Sequence, residues 1–244
     1  MTMNRGLTSL LSLVLVGLVA CDNRSTPASL PNNDSPPDNP DSPVAGVTPQ
    51  PSVPEAPAPP AQNDYTIIPG QRVGQVTSTT SRQQLADLYG EASLKDEPIP
   101  MGEGFTEPGT IVDLDPEHRF AVVWLDAERS RPLLAKDFGS AWKTPEGLGV
   151  GVAYAMVQEV LGTFQLYGFA WDYSGSLSLE GSKLDHYYGN LLLRVEPSEA
   201  SVAAHPEAFR AVLGDGLFAG DDPNLALLDI SVYEMVVYLN APVE

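Results

Sequence analysis

Cysteine is nearly absent: Cys21 is the only one in 244 residues. No intramolecular disulfide can therefore staple the chain, and no Cys/His cluster at zinc-ligand spacing exists. Histidine is scarce too, with His118, His186 and His205 far apart and each at an expected turn or helix edge. Positive charge is the third shortage. The chain holds 13 Lys and Arg against 32 Asp and Glu, a net charge of −19, and residues 65–244 alone carry 11 against 26, a net of −15. Nucleic-acid phosphates and anionic headgroups would be repelled by such a surface, which excludes nucleic acid as a partner. Catalytic signatures are missing as well. There is no Gly-x-Ser-x-Gly elbow, and Gly147–Gly151 carries neither a Lys-Ser/Thr pair nor a dinucleotide pattern. The sequence names no catalytic residue, no metal ligand and no cofactor.

Long apolar runs are limited to one. Arg5 is followed by an uncharged stretch from Gly6 to Ala20, in which Leu7–Val19 is mostly Leu and Val. That length falls short of the roughly 20 residues a permanent transmembrane helix needs. A basic start, a short apolar core and small residues at its end read as a secretory signal peptide over residues 1–20. The closing Leu18-Val19-Ala20-Cys21 resembles the lipobox of bacterial lipoproteins. The resemblance implies cleavage after Ala20, a diacylglyceryl thioether on Cys21 and acylation of the new N-terminus. Stable anchoring takes two or more acyl chains. Asp22 resembles the residue that retains lipoproteins in the inner membrane of enteric bacteria, which tilts the expected address from outer to inner membrane. Either way the expected location is extracytoplasmic.

Residues 21–64 change character at once. Between Asp22 and Asp64 lie twelve prolines and no aromatic residue. Such a composition cannot bury enough surface to offset its ordering entropy, so a disordered linker is expected. Its reach would be about 3.1 Å per residue as polyproline II, on the order of 130 Å, or roughly 35 Å as a coil.

Residues 65–244 are long enough for one good core. Strands are expected at Tyr65–Ile68 and Val73–Thr77, then a helix carrying Leu85, Leu88 and Tyr89, capped by Thr80 or Ser81 and stopped at Gly90. Glu91–Glu107 reads as a loop because of Pro98, Pro100 and Gly102-Glu103-Gly104. Thr110–Leu114 and Arg119–Asp126 form a hairpin around Asp115-Pro116-Glu117-His118, and the Phe120–Leu125 run, apolar on both faces, belongs in the middle of a sheet. Further strands are expected at Leu133–Phe138, Phe164–Tyr173, Ser176–Leu179, Asn190–Val195 and Ile230–Leu239, with helices at Tyr154–Leu161 and Pro206–Leu213 and one turn at Asn224–Leu228. The fold class is thus α+β, an antiparallel sheet with a few helices on one face. Leu85-x-x-Leu88-Tyr89-Gly90 and Val157-x-x-Val160-Leu161-Gly162 share their spacing. Two strand–helix–hairpin repeats would explain the echo, and coincidence between two short amphipathic helices is the alternative.

Two acidic clusters, Asp113/Asp115/Glu117 and Asp215/Asp221/Asp222/Asn224, are oxygen-rich but lack the calcium-loop pattern, and turn or capping roles account for them. The most individual stretch is Gly168-Phe169-Ala170-Trp171-Asp172-Tyr173-Ser174-Gly175. It reads either as a core strand ending in a tight turn, the assignment that large aromatics favour, or as a binding surface built on Trp171, Asp172 and Tyr173. Together with Val73-Gly74, Tyr89-Gly90, Gly102-Glu103-Gly104, Val123-Trp124 and Trp142-x-Thr144-x-x-Gly147-Leu148, it resembles a group of uncharacterised bacterial envelope lipoproteins over most of residues 66–240. That resemblance implies location and fold, not activity. An Asn-Gly pair expected after the second helix is replaced by Leu161-Gly162. At fold level the chain also resembles small lipoproteins of outer-membrane assembly. Three functions follow as expectations: a non-enzymatic binding or scaffolding domain for an envelope protein or glycan, a carboxylate-dependent envelope hydrolase, or a periplasmic inhibitor or assembly factor. A hydrolase would need two carboxylates in one cleft, and an inhibitor an exposed aromatic patch.

Overall fold

The computed structural model describes residues 64–241, all within one compact unit; Cys21, Asp22, the expected signal peptide and all of the proline-rich stretch but its last residue, Asp64, lie outside the described residues. Three antiparallel sheets and a few helices make an α+β fold. Short strands β1 (Ile67–Ile68), β2 (Arg72–Val73) and β3 (Val76–Thr77) form the first sheet. The expected single strand over Val73–Thr77 is therefore two, folded back at Gly74, whose φ of +54° few other residues adopt.

Helix α1 (Arg82–Tyr89) follows with the expected boundaries. Ser81 Oγ accepts from the Gln84 amide, and Gln84 Oε1 accepts from the Ser81 amide, which closes a capping box. Gly90, at φ +83°, ends the helix.

The largest sheet holds β4 (Leu94–Gly102), β5 (Phe105–Val112), β6 (Phe120–Trp124), β7 (Pro132–Lys136), β10 (Leu191–Pro197) and β12 (Ile230–Tyr238), in the order β10-β12-β7-β6-β5-β4. The expected loop at Glu91–Glu107 is instead mostly a long hairpin turning at Gly102-Glu103-Gly104. Proline is tolerated because β4 is the outermost strand. Pro98 faces Pro108 across the pair, and β5 is not paired with β6 until Gly109. The interior position of β6 and the insertion of β12 between β10 and β7 match the reading that both are apolar on two faces.

Those two faces are buried differently. Phe120, Val122, Ala135, Leu193, Val195 and Val237 point into the main core, where Leu85, Val157 and Leu161 of the helices also lie. The helices thus cover one face. On the other, Ala121, Val123, Leu134 and Val236 are closed over by Ile99. Gly109 makes this possible, since a Cβ there would lie 2.1 Å from Ile99 Cγ1. The hairpin curls across the sheet, and Lys136 Nζ on β7 donates to the Pro100 carbonyl at 2.9 Å.

Helix α2 (Tyr154–Leu161) has no side-chain cap and is held by burial of Tyr154, Val157 and Leu161. After it come β8 (Gln165–Tyr167), β9 (Leu177–Ser178) and β11 (Leu217–Ala219), which form the third sheet in the order β11-β8-β9. Two helices, α3 (Glu199–Ala204) and α4 (Pro206–Ala211), bracket His205. Neither α3 nor β11 is legible in the periodicity. The repeat is not found: α1 precedes a hairpin of the six-stranded sheet, whereas α2 precedes a pair in the three-stranded one.

One polar network fastens α1 to the sheet. Asp96 accepts from Arg82 Nε at 2.9 Å, pairs with Arg129 at 2.8 Å and accepts from Thr110 Oγ1, which in turn accepts from Trp124 Nε1 at 2.9 Å. Burial pushes the Asp96 carboxyl up, but hydrogen bonds from Arg82 and Thr110 with the charges of Arg82 and Arg129 outweigh it and hold the pKa below the usual value. A depressed folded-state pKa stabilises the fold above the unfolded value of about 3.9 and is lost as pH falls through the folded value. Asp96→Asn should cost about 1 kcal/mol at pH 7 in urea unfolding, because solvent screens these exposed ion pairs. It should also flatten the loss of stability below about pH 4.

Candidate functional site

The curled β4–β5 hairpin and the 168–176 segment face each other across the sheet surface that carries no helix. Between them lies a cleft of about 480 Å³. Its floor is Leu134 and Lys136 of β7, Glu234, Val236 and Tyr238 of β12, and Leu192 and Arg194 of β10, and its walls are Met101–Glu103 with Phe105 on one side, Asp172 and Tyr173 on the other. A second cavity of about 540 Å³ opens where β9 diverges from β10, and the two meet at Tyr173, Leu192, Arg194 and Tyr238.

The 168–176 segment is shaped by its glycines. Gly168 donates to Gly216 O and Phe169 to Val212 O, which turns the chain away from β8 after Tyr167. Phe169 is buried against Phe209. Ala170 then takes φ +72°, rare for a residue with a side chain, and its amide is held by Ser174 Oγ at 3.0 Å. This flips the following aromatics outward. Trp171 is 61% and Tyr173 57% exposed, so the core-strand reading of this stretch is corrected: β8 stops at Tyr167. Tyr173 rests on Tyr167 with ring centroids 5.1 Å apart. Of the three expected surface residues, Asp172 and Tyr173 line the cleft, while Trp171 stands outside its lining.

Gly175 fixes the segment to the large sheet. Val195 donates its amide to Gly175 O at 2.9 Å, and Ser176 and Arg194 bridge antiparallel. A Cβ on Gly175 would lie 1.8 Å from Val195 O. Only glycine allows that approach.

Charge on the floor is concentrated in three side chains. Glu234 lies 3.8 Å from Lys136 and 3.6 Å from Arg194, so this carboxylate is held between two cations. Elsewhere the acidic clusters serve turns. Asp115 accepts from the amides of Glu117 and His118 and contacts His118 Nδ1 at 2.8 Å, and Asp222 accepts from the Asn224 amide. Among the described residues no three acidic, His or Cys side chains gather closely enough to hold a metal ion. His118 packs against Tyr65 and His186 against Tyr187 with tilted rings, and His205 separates α3 from α4, so the three histidines remain apart. Lys136, Arg194, Glu234 and the walls at Met101 and Phe105 are the cleft residues sequence reading missed. The signal available was alternation in β10 and β12, where Arg194 and Glu234 interrupt apolar runs.

No family model matches the chain, and no curated protein matches it. Among solved structures it is similar to the uncharacterized protein yfeY from Escherichia coli, at 15% identity and a TM-score of 0.41, over 69% of this chain and 97% of that one. Likeness at this level assigns no residue a role.

Gly175→Ala should destabilise the domain by roughly 2–4 kcal/mol in urea unfolding, because backbone must move. Gly181→Ala has φ +74° but nothing within 4 Å of the added carbon. It should lose only about 1–2 kcal/mol.

Proposed function

We propose that this protein is a lipid-anchored, extracytoplasmic binding or scaffolding domain of the cell envelope, held to the membrane through Cys21, with Asp22 favouring the inner membrane. The observation that carries the binding reading is the open cleft rimmed by exposed aromatic side chains. Phe105 and Tyr173 on its walls are 68% and 57% exposed, and Tyr188 of the adjoining cavity is 64% exposed. Clustered exposed aromatics beside a floor of mixed apolar and charged side chains support a protein-binding surface. Glu234 on the cleft floor is held as an ion pair between Lys136 and Arg194, a charge arrangement suited to recognition, with Glu103 and Asp172 on the walls. No helix among the described residues is long and apolar enough to cross a membrane, so the address rests on the lipobox resemblance.

Two measurements test the reading. Labelled palmitate should enter the wild-type chain in its native host and fail to enter Cys21→Ser; equal labelling would remove the anchor. After cross-linking in the native envelope, the partner recovered with the wild type should drop about tenfold with the Phe105→Ala/Tyr173→Ala pair, the effect of losing one to two hot-spot residues. Unchanged recovery would remove the cleft from the interaction.

A further inference from the structure

Three buried side-chain atoms among the described residues have no hydrogen-bond partner: Glu146 Oε2, Ser176 Oγ and Arg194 Nε. Two of these are immediate neighbours. Ser176 and Arg194 are opposite one another in the antiparallel bridge that joins the 168–176 segment to β10. Residues so paired project from the same face with Cβ atoms about 5 Å apart. Ser176 is 7% exposed. Arg194 reaches Glu234 Oε2 only at 3.6 Å, an ion-pair distance beyond hydrogen-bond range. Both residues line the 540 Å³ cavity, and Arg194 also lines the 480 Å³ cleft that meets it.

Folded proteins leave few buried donors unanswered, and each one calls for an explanation. Here two donors, a guanidinium N–H and a hydroxyl, sit on paired residues just beneath the lining of a cavity. The group that answers both is an acceptor with two oxygens, and guanidinium geometry matches a carboxylate best. The same cavity is lined by Tyr167, Tyr188, Leu177 and Leu191, an apolar and aromatic set.

We propose that the Ser176–Arg194 junction binds the terminal carboxylate of an extended peptide, whose last apolar side chains lie along the tyrosine-lined cavity. This rests on the binding-domain reading and names its ligand. Capture of a chain end by converging donors is a recurrent recognition mode. The domain's charge selects a chain end over an acidic tract: with a net of −15 over residues 65–244, and Glu180 on the cavity wall, several carboxylates would be repelled. A chain end brings one carboxylate beside an apolar side chain.

The test is isothermal titration of the purified full-length protein with N-acetyl-Gly-Val-Tyr-Leu in three forms: the free acid, the C-terminal amide, and the amide with Glu replacing the final Leu. The free acid should bind about tenfold or more tighter than its amide, the effect of a charge-assisted pair. Arg194→Gln should abolish that difference, Arg194→Lys should restore part of it, and Ser176→Ala should narrow it a few-fold. If Arg194→Gln does not fold, the acid–amide comparison on the wild type and on Ser176→Ala decides. Equal binding of acid and amide, or no binding of the acid up to millimolar concentration, overturns the proposal. So does the Glu-bearing amide binding as well as the free acid, which assigns the junction to acidic side chains. Dodecanoate binding through Arg194 while the peptide acid does not would assign it to a lipid carboxylate and overturn the peptide. A partner that still depends on Tyr173 in the envelope, without acid–amide discrimination, would leave the binding domain standing and remove only this ligand.

Discussion

The hydrogen bond from the Val195 amide to the Gly175 carbonyl, 2.9 Å long, is the constraint on which the site depends. It holds the 168–176 segment against the edge of a sheet to which that segment does not otherwise belong. Beyond this clasp β9 pairs with β8 and leaves β10, so a cavity opens between two sheets bridged at Ser176 and Arg194. Without the clasp Tyr173 would have no fixed place on the cleft wall, and Ser176 would not stand opposite Arg194.

The opposite wall comes from a different physical source. Gly109 lets Ile99 lie flat over β5, and the Lys136 ammonium reaches back to the Pro100 carbonyl. Hairpin and sheet thereby close a small second core of Ile99, Ala121, Val123, Leu134 and Val236, leaving the strands nearer β10 uncovered. Part of this sheet face is thus sealed, and part lies open between the hairpin and the 168–176 segment. Lys136, Glu234 and Arg194 keep its floor polar enough to stay in water, since each charge has an opposite neighbour within 4 Å.

Much of this architecture is legible in the residues. The Ser81–Gln84 box and Gly90 announce α1, the Asp115–His118 turn announces the β5–β6 hairpin, and two-faced apolar runs place β6 and β12 inside the sheet. What stays hidden is tertiary in origin. Pro98 and Pro100 read as a loop because proline lacks an amide, and only the edge position of β4 makes that harmless. Trp171 and Tyr173 read as core because aromatics usually are; the left-handed turn at Ala170 turns them outward, and no periodicity signals it. The match between the two helix motifs is real in sequence, yet the helices serve different sheets. Of the site, Asp172 and Tyr173 were visible as an unusual stretch, whereas Arg194 and Glu234 acquire meaning only when β10 and β12 lie side by side.

Amide hydrogen exchange at Val195 in the full-length protein tests the account most directly. A clasp that fixes the cleft predicts protection at Val195 comparable to that of Val122 in the middle of the sheet. Exchange at Val195 as fast as at exposed Trp171 would mean that the 168–176 segment is not fastened to β10, and the cleft built on it would not exist.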